Sequence, residues 1–122
     1  MKKTLIGVSG LILFLISSCY YDSKEYLYPE LNSTCDTTNI TFASSIKPII
    51  DNNCKTCHSG SVPSGNVRLE NYTQVKAIAD IGKLVGVING SGGLPLMPPG
   101  APLSSCQITS IEKWVTNGAP DN

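Results

Sequence analysis

Residues 51–60 read DNNCKTCHSG, placing Cys54 and Cys57 three positions apart with His58, the chain's single histidine, directly behind them. Two thiols at this spacing near a helix end can each bond one vinyl carbon on the same edge of a porphyrin. The next imidazole then falls under the ring and ligates the iron, so a Cys-x-x-Cys-His run is a covalent haem c attachment pattern. Three other chemistries use such cysteines. A closed zinc site needs four Cys or His ligands, which Cys54 and Cys57 could form with Cys35 and Cys106. A redox dithiol belongs at a strand–helix junction beside a parallel sheet. The third is a plain disulfide between the two cysteines.

Haem iron takes a second axial ligand. With one histidine in the chain, two histidine ligands from the same chain are excluded. Apart from Met1 the only methionine is Met97, 39 residues after His58 in the run LPLMPPG. Its flanking prolines hold the backbone extended and stiff, which suits presenting a thioether to one face of a ring. The alternative is a methionine that fills a gap in the core or lies on the surface.

These residues need elements to position them. Thr41 can cap a helix over roughly 42–53, with Phe42, Ile46, Ile49 and Ile50 as its apolar set. Pro48 is awkward inside that helix, and a start near Ser45 would place it in the first turn, where proline is tolerated. Residues 59–68 are loop by composition. Asn71 can cap a short helix from Tyr72 to Asp80, with Tyr72, Val75 and Ala79 on one face, and a second short helix is expected over 83–88. Residues 89–103 contain four glycines and four prolines and exclude regular helix. Ser104 with Gln107 forms a capping box that opens a helix over 105–116. There Ile108, Ile111 and Val115 share a face, Trp114 lies nearby, and Gly118 ends the helix. No strand and no internal repeat is visible. The expectation is an all-α domain of three to four short helices with long loops, whose thin core calls for an additional stabilising group.

The chain has 122 residues, and its first eighteen are set apart. Lys2 and Lys3 precede a mostly apolar run from Leu5 to Ile16, followed by Ser17, Ser18 and Cys19. This is the layout of an export signal, with an apolar run too short to span a bilayer, which takes ~20 residues. LISSC resembles the lipobox of bacterial lipoproteins, and the resemblance implies that Cys19 is lipidated and becomes the mature N-terminus. The expected division is a signal peptide over 1–18, a tether over 19–34 and a domain over 35–122. The whole chain balances nine basic against nine acidic residues; loss of Lys2 and Lys3 leaves seven against nine, a formal charge of −2. With no basic run or positive balance, the sequence does not point to nucleic acid.

CKTCHSG, NVRLENYTQV and LMPPGAPLSSCQITSIEKWVTNGAP, in that order, resemble a class I c-type cytochrome domain, in particular the small lipoprotein and planctomycete-type cytochromes. The resemblance covers about residues 41–120. It implies a class I cytochrome c-like fold around one covalent haem c, with thioethers at Cys54 and Cys57 and iron ligands at His58 and Met97. It also implies that the first and last helices cross beside the haem. The chain departs from the pattern at Ile50, where the first helix often has an aromatic residue. Cys19 is taken by lipid, and Cys54 and Cys57 by haem. Cys35 and Cys106 remain, close to the first and last helices. If these helices cross, the two can form a disulfide in an oxidising compartment.

The resulting expectation is a monomeric, lipid-anchored mono-haem cytochrome carrying single electrons in the bacterial envelope, either periplasmic or on the outer surface. Iron ligated on both faces leaves no substrate site, so no catalytic residue is expected. Its partners would be redox proteins met in transient contacts, with the membrane reached through the N-terminal lipid. Two other functions stand beside it: a haem enzyme or gas sensor with an open or labile sixth site, and an electron-entry subunit of a larger oxidoreductase.

Overall fold

The computed structural model describes residues 35–122. The expected signal peptide over 1–18, the lipidated Cys19 and the tether over 19–34 lie outside the described residues. The described residues are helical, with no strand among them.

The first helical segment opens with a π-helical turn over Phe42–Ile46 and continues as α1 over Lys47–Asn53. Thr41 caps it, its side chain accepting from the Ser44 N–H. The Ser45 and Ile46 N–H groups both donate to the Thr41 carbonyl, at 3.1 and 3.2 Å. Pro48 explains the widened turn. A proline ring crowds the carbonyl four residues earlier, and a π turn relieves this while leaving Pro48 in the first turn of α1. Both helix starts considered from the sequence therefore occur, one for each helix type.

Asn71 caps α2 (Tyr72–Asp80) by accepting from the Gln74 N–H. A left-handed Gly82 turns the chain into α3 (Lys83–Asn89), which ends on a left-handed Gly90. The capping box of Ser104 and Gln107 opens α4 (Ser105–Thr116), and Gly118 follows its end with φ 90°. The last helix packs against both the Phe42–Ile46 turn and α3, and α2 packs against α3.

The core gathers Phe42, Ile46 and Ile50 with Val75, Ala79, Leu84, Ile88, Ile111 and Trp114. Ile111 and Trp114 are 0% exposed. This corrects the phase expected for α4, since Ile108 and Val115 are only half-buried at the core's edge. The buried line runs through Ile111 and Trp114, three residues apart, because α4 must meet the first helical turn and α3 at once. Phe42 sits between two aromatic rings, with centroids 5.1 Å from Tyr72 and 5.6 Å from Trp114. It supplies to the last helix the aromatic contact that Ile50 cannot.

Cys35 and Cys106 are joined in a disulfide, with Cα atoms 5.3 Å apart and a sequence separation of 71. It fastens the start of the described chain to the first turn of α4. Closing so long a loop restricts the unfolded chain, and loss of such a bond typically costs about 2–5 kcal/mol. Replacing both cysteines by serine should lower the unfolding free energy by that amount in urea titrations. An unchanged midpoint would mean that the bridge does not form or constrains nothing.

Candidate cofactor site

Cys54 follows the last residue of α1, and its N–H still donates to the Ile50 carbonyl at 2.9 Å. The chain then turns tightly. The Cys57 and His58 N–H groups both donate to the Cys54 carbonyl, at 3.2 and 3.0 Å. This turn gathers the two thiols and the imidazole within five residues. Cys54 is half-buried, Cys57 is exposed, and neither forms a disulfide. Burial pushes the Cys54 thiol up to about 11.

His58 is held at its backbone and at its ring. Its carbonyl accepts from the Leu69 N–H at 2.8 Å, and its ring Nδ1 lies 3.0 Å from the Val67 carbonyl. A carbonyl oxygen can only accept, so Nδ1 carries the hydrogen, and in the neutral ring Nε2 is the nitrogen with the free lone pair. A ligating histidine usually donates its other ring N–H to a carbonyl or carboxylate in this way, which fixes tautomer and ring orientation. The loop 59–68 thus returns to its own start as a clip around His58. Ser64 N–H donating to the Cys57 carbonyl at 2.9 Å and a left-handed Gly65 tighten it.

Met97 arrives from the opposite direction in sequence. Its N–H donates to the Val87 carbonyl near the end of α3 at 2.8 Å, and its side chain is half-buried. Cys54, Cys57, His58 and Met97 all line one cavity of about 390 Å³. That volume lies within the range of small-molecule and cofactor sites, roughly 300–1,000 Å³. The remaining wall is largely apolar, supplied by Leu69, Ile78, Leu84, Val87 and Ile88. No buried side-chain nitrogen or oxygen among the described residues lacks a hydrogen-bond partner. The site therefore brings together two unbridged thiols, one imidazole nitrogen and one thioether on an apolar hollow.

A scan of protein-family models found no match to the chain, and searches of curated proteins and of solved structures found none either.

The donor set bears on the alternatives. The four-cysteine zinc set does not exist in this fold, because Cys35 and Cys106 are bonded to each other. A thiolate is both the metal ligand and the redox nucleophile, and burial disfavours that charged form at Cys54. The strand–helix setting of a redox dithiol is missing among the described residues. Two partners of the site went unrecognised in the sequence. The Val67 carbonyl is a backbone group and carries no residue-type signal. Lys83 also lines the cavity, and only the nearness of its helix to the others revealed it.

The ring contact makes a direct prediction. Nitrogen-15 correlation spectra of the purified chain should show His58 with its hydrogen on Nδ1. A spectrum dominated by the Nε2–H form would mean that Val67 does not orient the ring.

Proposed function

We propose that this chain is a mono-haem c-type cytochrome with a class I cytochrome c-like fold, anchored by lipid at Cys19 in the bacterial envelope, and that it carries single electrons. The observation that carries this reading is the convergence of Cys54, Cys57, His58 and Met97 on one apolar cavity although Met97 lies 39 residues beyond the motif. In this reading Cys54 and Cys57 hold the porphyrin, while His58 Nε2 and Met97 Sδ ligate the iron. When bound, haem supplies a one-electron iron couple whose potential methionine–histidine ligation raises.

The residues of the chain do the rest. The Val67 carbonyl fixes the face that His58 presents. The bond from Met97 N–H to Val87 ties the second ligand to α3. Leu69, Leu84 and Ile88 exclude water from the cavity wall. With a ligand on each side no position is left for a substrate, which favours an electron carrier over an enzyme. Exposed Val62, Ile81 and Leu96 each lie within two positions of a residue that lines the cavity. They give a redox partner apolar surface near its mouth, suited to the small contact areas of transient redox encounters.

Two variants test the reading. Expressed with a cytochrome c maturation system, the wild-type chain should keep its haem through denaturing electrophoresis, and Cys54→Ala with Cys57→Ala should lose it. Haem extracted from the wild type by acidified acetone would overturn covalent attachment. Met97→Ala should keep covalent haem, lower the reduction potential and bind carbon monoxide promptly after reduction. If spectrum and potential are unchanged in Met97→Ala, Met97 is not the ligand, and the open-site enzyme or sensor moves ahead of the electron carrier.

A further inference from the structure

Lys83 is the one residue with a fixed charge among those lining the cavity. It opens α3, and Leu84, the next residue, is a fully buried part of the cavity wall. Most cations in the described region have anionic partners. Lys47 and Lys55 share Asp51, Arg68 meets Glu70, and Lys76 meets Asp80. The side chain of Lys83 makes neither an ion pair nor a hydrogen bond to another described residue, and that of Lys113, exposed on α4, is the other such cation.

An exposed lysine on the rim of an apolar hollow, free to bring its ammonium to the mouth, selects a particular kind of occupant. The wall offers apolar contact, and no carboxylate lines the cavity to compensate the charge. An occupant with an apolar body and an acidic substituent would satisfy both features. We infer that Lys83 is the anion-binding residue of this site and pairs with a carboxylate of the group that fills the cavity. Resting on the cofactor reading above, that carboxylate is a haem propionate; the same chemistry would hold the head of a long-chain fatty acid. A lysine suits this role because its flexible stem can lie along the apolar wall while its charged end reaches the mouth. The pair then closes the open edge of the cavity and fixes which way round its occupant lies.

A zero-length coupling experiment separates these outcomes. A water-soluble carbodiimide joins a carboxylate to an amine in contact with it, as an amide with loss of water. The haem-loaded native chain is treated with the reagent, digested and examined by mass spectrometry. The expected product is the haem-bearing peptide containing Cys54 and Cys57 coupled to the peptide containing Lys83. Lys83→Gln should abolish this product, and Lys113→Gln should leave its yield unchanged. Haem peptide recovered without coupling at Lys83, or coupled to Lys113 equally well, overturns the Lys83 site and leaves the cofactor reading standing. A chain without haem whose Lys83 carries an amide to a fatty acid overturns the cofactor reading and keeps the carboxylate site.

Discussion

The fold is tied together by a cluster of aromatic contacts in the C-terminal half of α4. Trp114 is fully buried against Phe42, and Phe42 in turn meets Tyr72 edge-on. Both polar ends of this cluster hold the same short segment. Trp114 Nε1–H donates to the Pro120 carbonyl, and the Tyr72 hydroxyl donates to the Ala119 carbonyl, each at 2.9 Å. Asn122 then caps the first helical turn, accepting from Phe42 N–H at its side chain and from Ala43 N–H at its carbonyl, both at 2.8 Å. One cluster thus binds the first segment, α2 and the segment after α4 together. Pairs of this kind add about 0.5–1.5 kcal/mol beyond the area they bury. The cysteine turn and α3 are fixed by these contacts and by the remaining core, and the hollow lies between them.

Local signals made much of this legible in the sequence. Thr41, Asn71 and Ser104 cap where their side chains and spacing indicate, because a cap is a contact within one turn. The bounds of α2 and α4 follow from those caps and from the glycines beyond them. Where a residue's role depends on distant segments, the sequence was less informative. A periodic pattern gave α4 a face through Ile108, Ile111 and Val115, yet two different neighbours pull the buried line toward Trp114. The π turn ahead of Pro48 was visible only as an awkward proline, since composition does not show how a backbone relieves a clash. At the site, Cys54, Cys57, His58 and Met97 could be read from their types, whereas the Val67 carbonyl and Lys83 could not.

Charge contributes little to holding this fold. Three of the four ion pairs link residues four apart on one helical face or just past its end, and all lie toward solvent. Exposed pairs of this sort add little, because water screens them. The Asp51 carboxyl is held below its usual range by hydrogen bonds from Lys47 and then Lys55, which shows the contact but not a large stabilisation in so exposed a place. Packing and the Cys35–Cys106 link carry the stability instead. Of the two described cations outside these pairs, Lys83 and Lys113, only Lys83 lines the cavity.

The cavity's imidazole and thioether are held one at a time, by separate bonds to the backbone. His58 is held by its own loop, through Leu69 N–H on its carbonyl and Val67 on its ring. Met97 is held through Val87, at the end of a helix whose Leu84 and Ile88 belong to the core. The two side chains share no hydrogen bond, so a disturbance of one loop does not pass directly to the other. Between them lies apolar wall that gains nothing from being left to water, because burying apolar surface is what drives such a chain together. A flat apolar occupant would therefore extend the core between the cysteine turn and α3. Such an occupant would let so short a chain keep a cavity of about 390 Å³ beside so small a core.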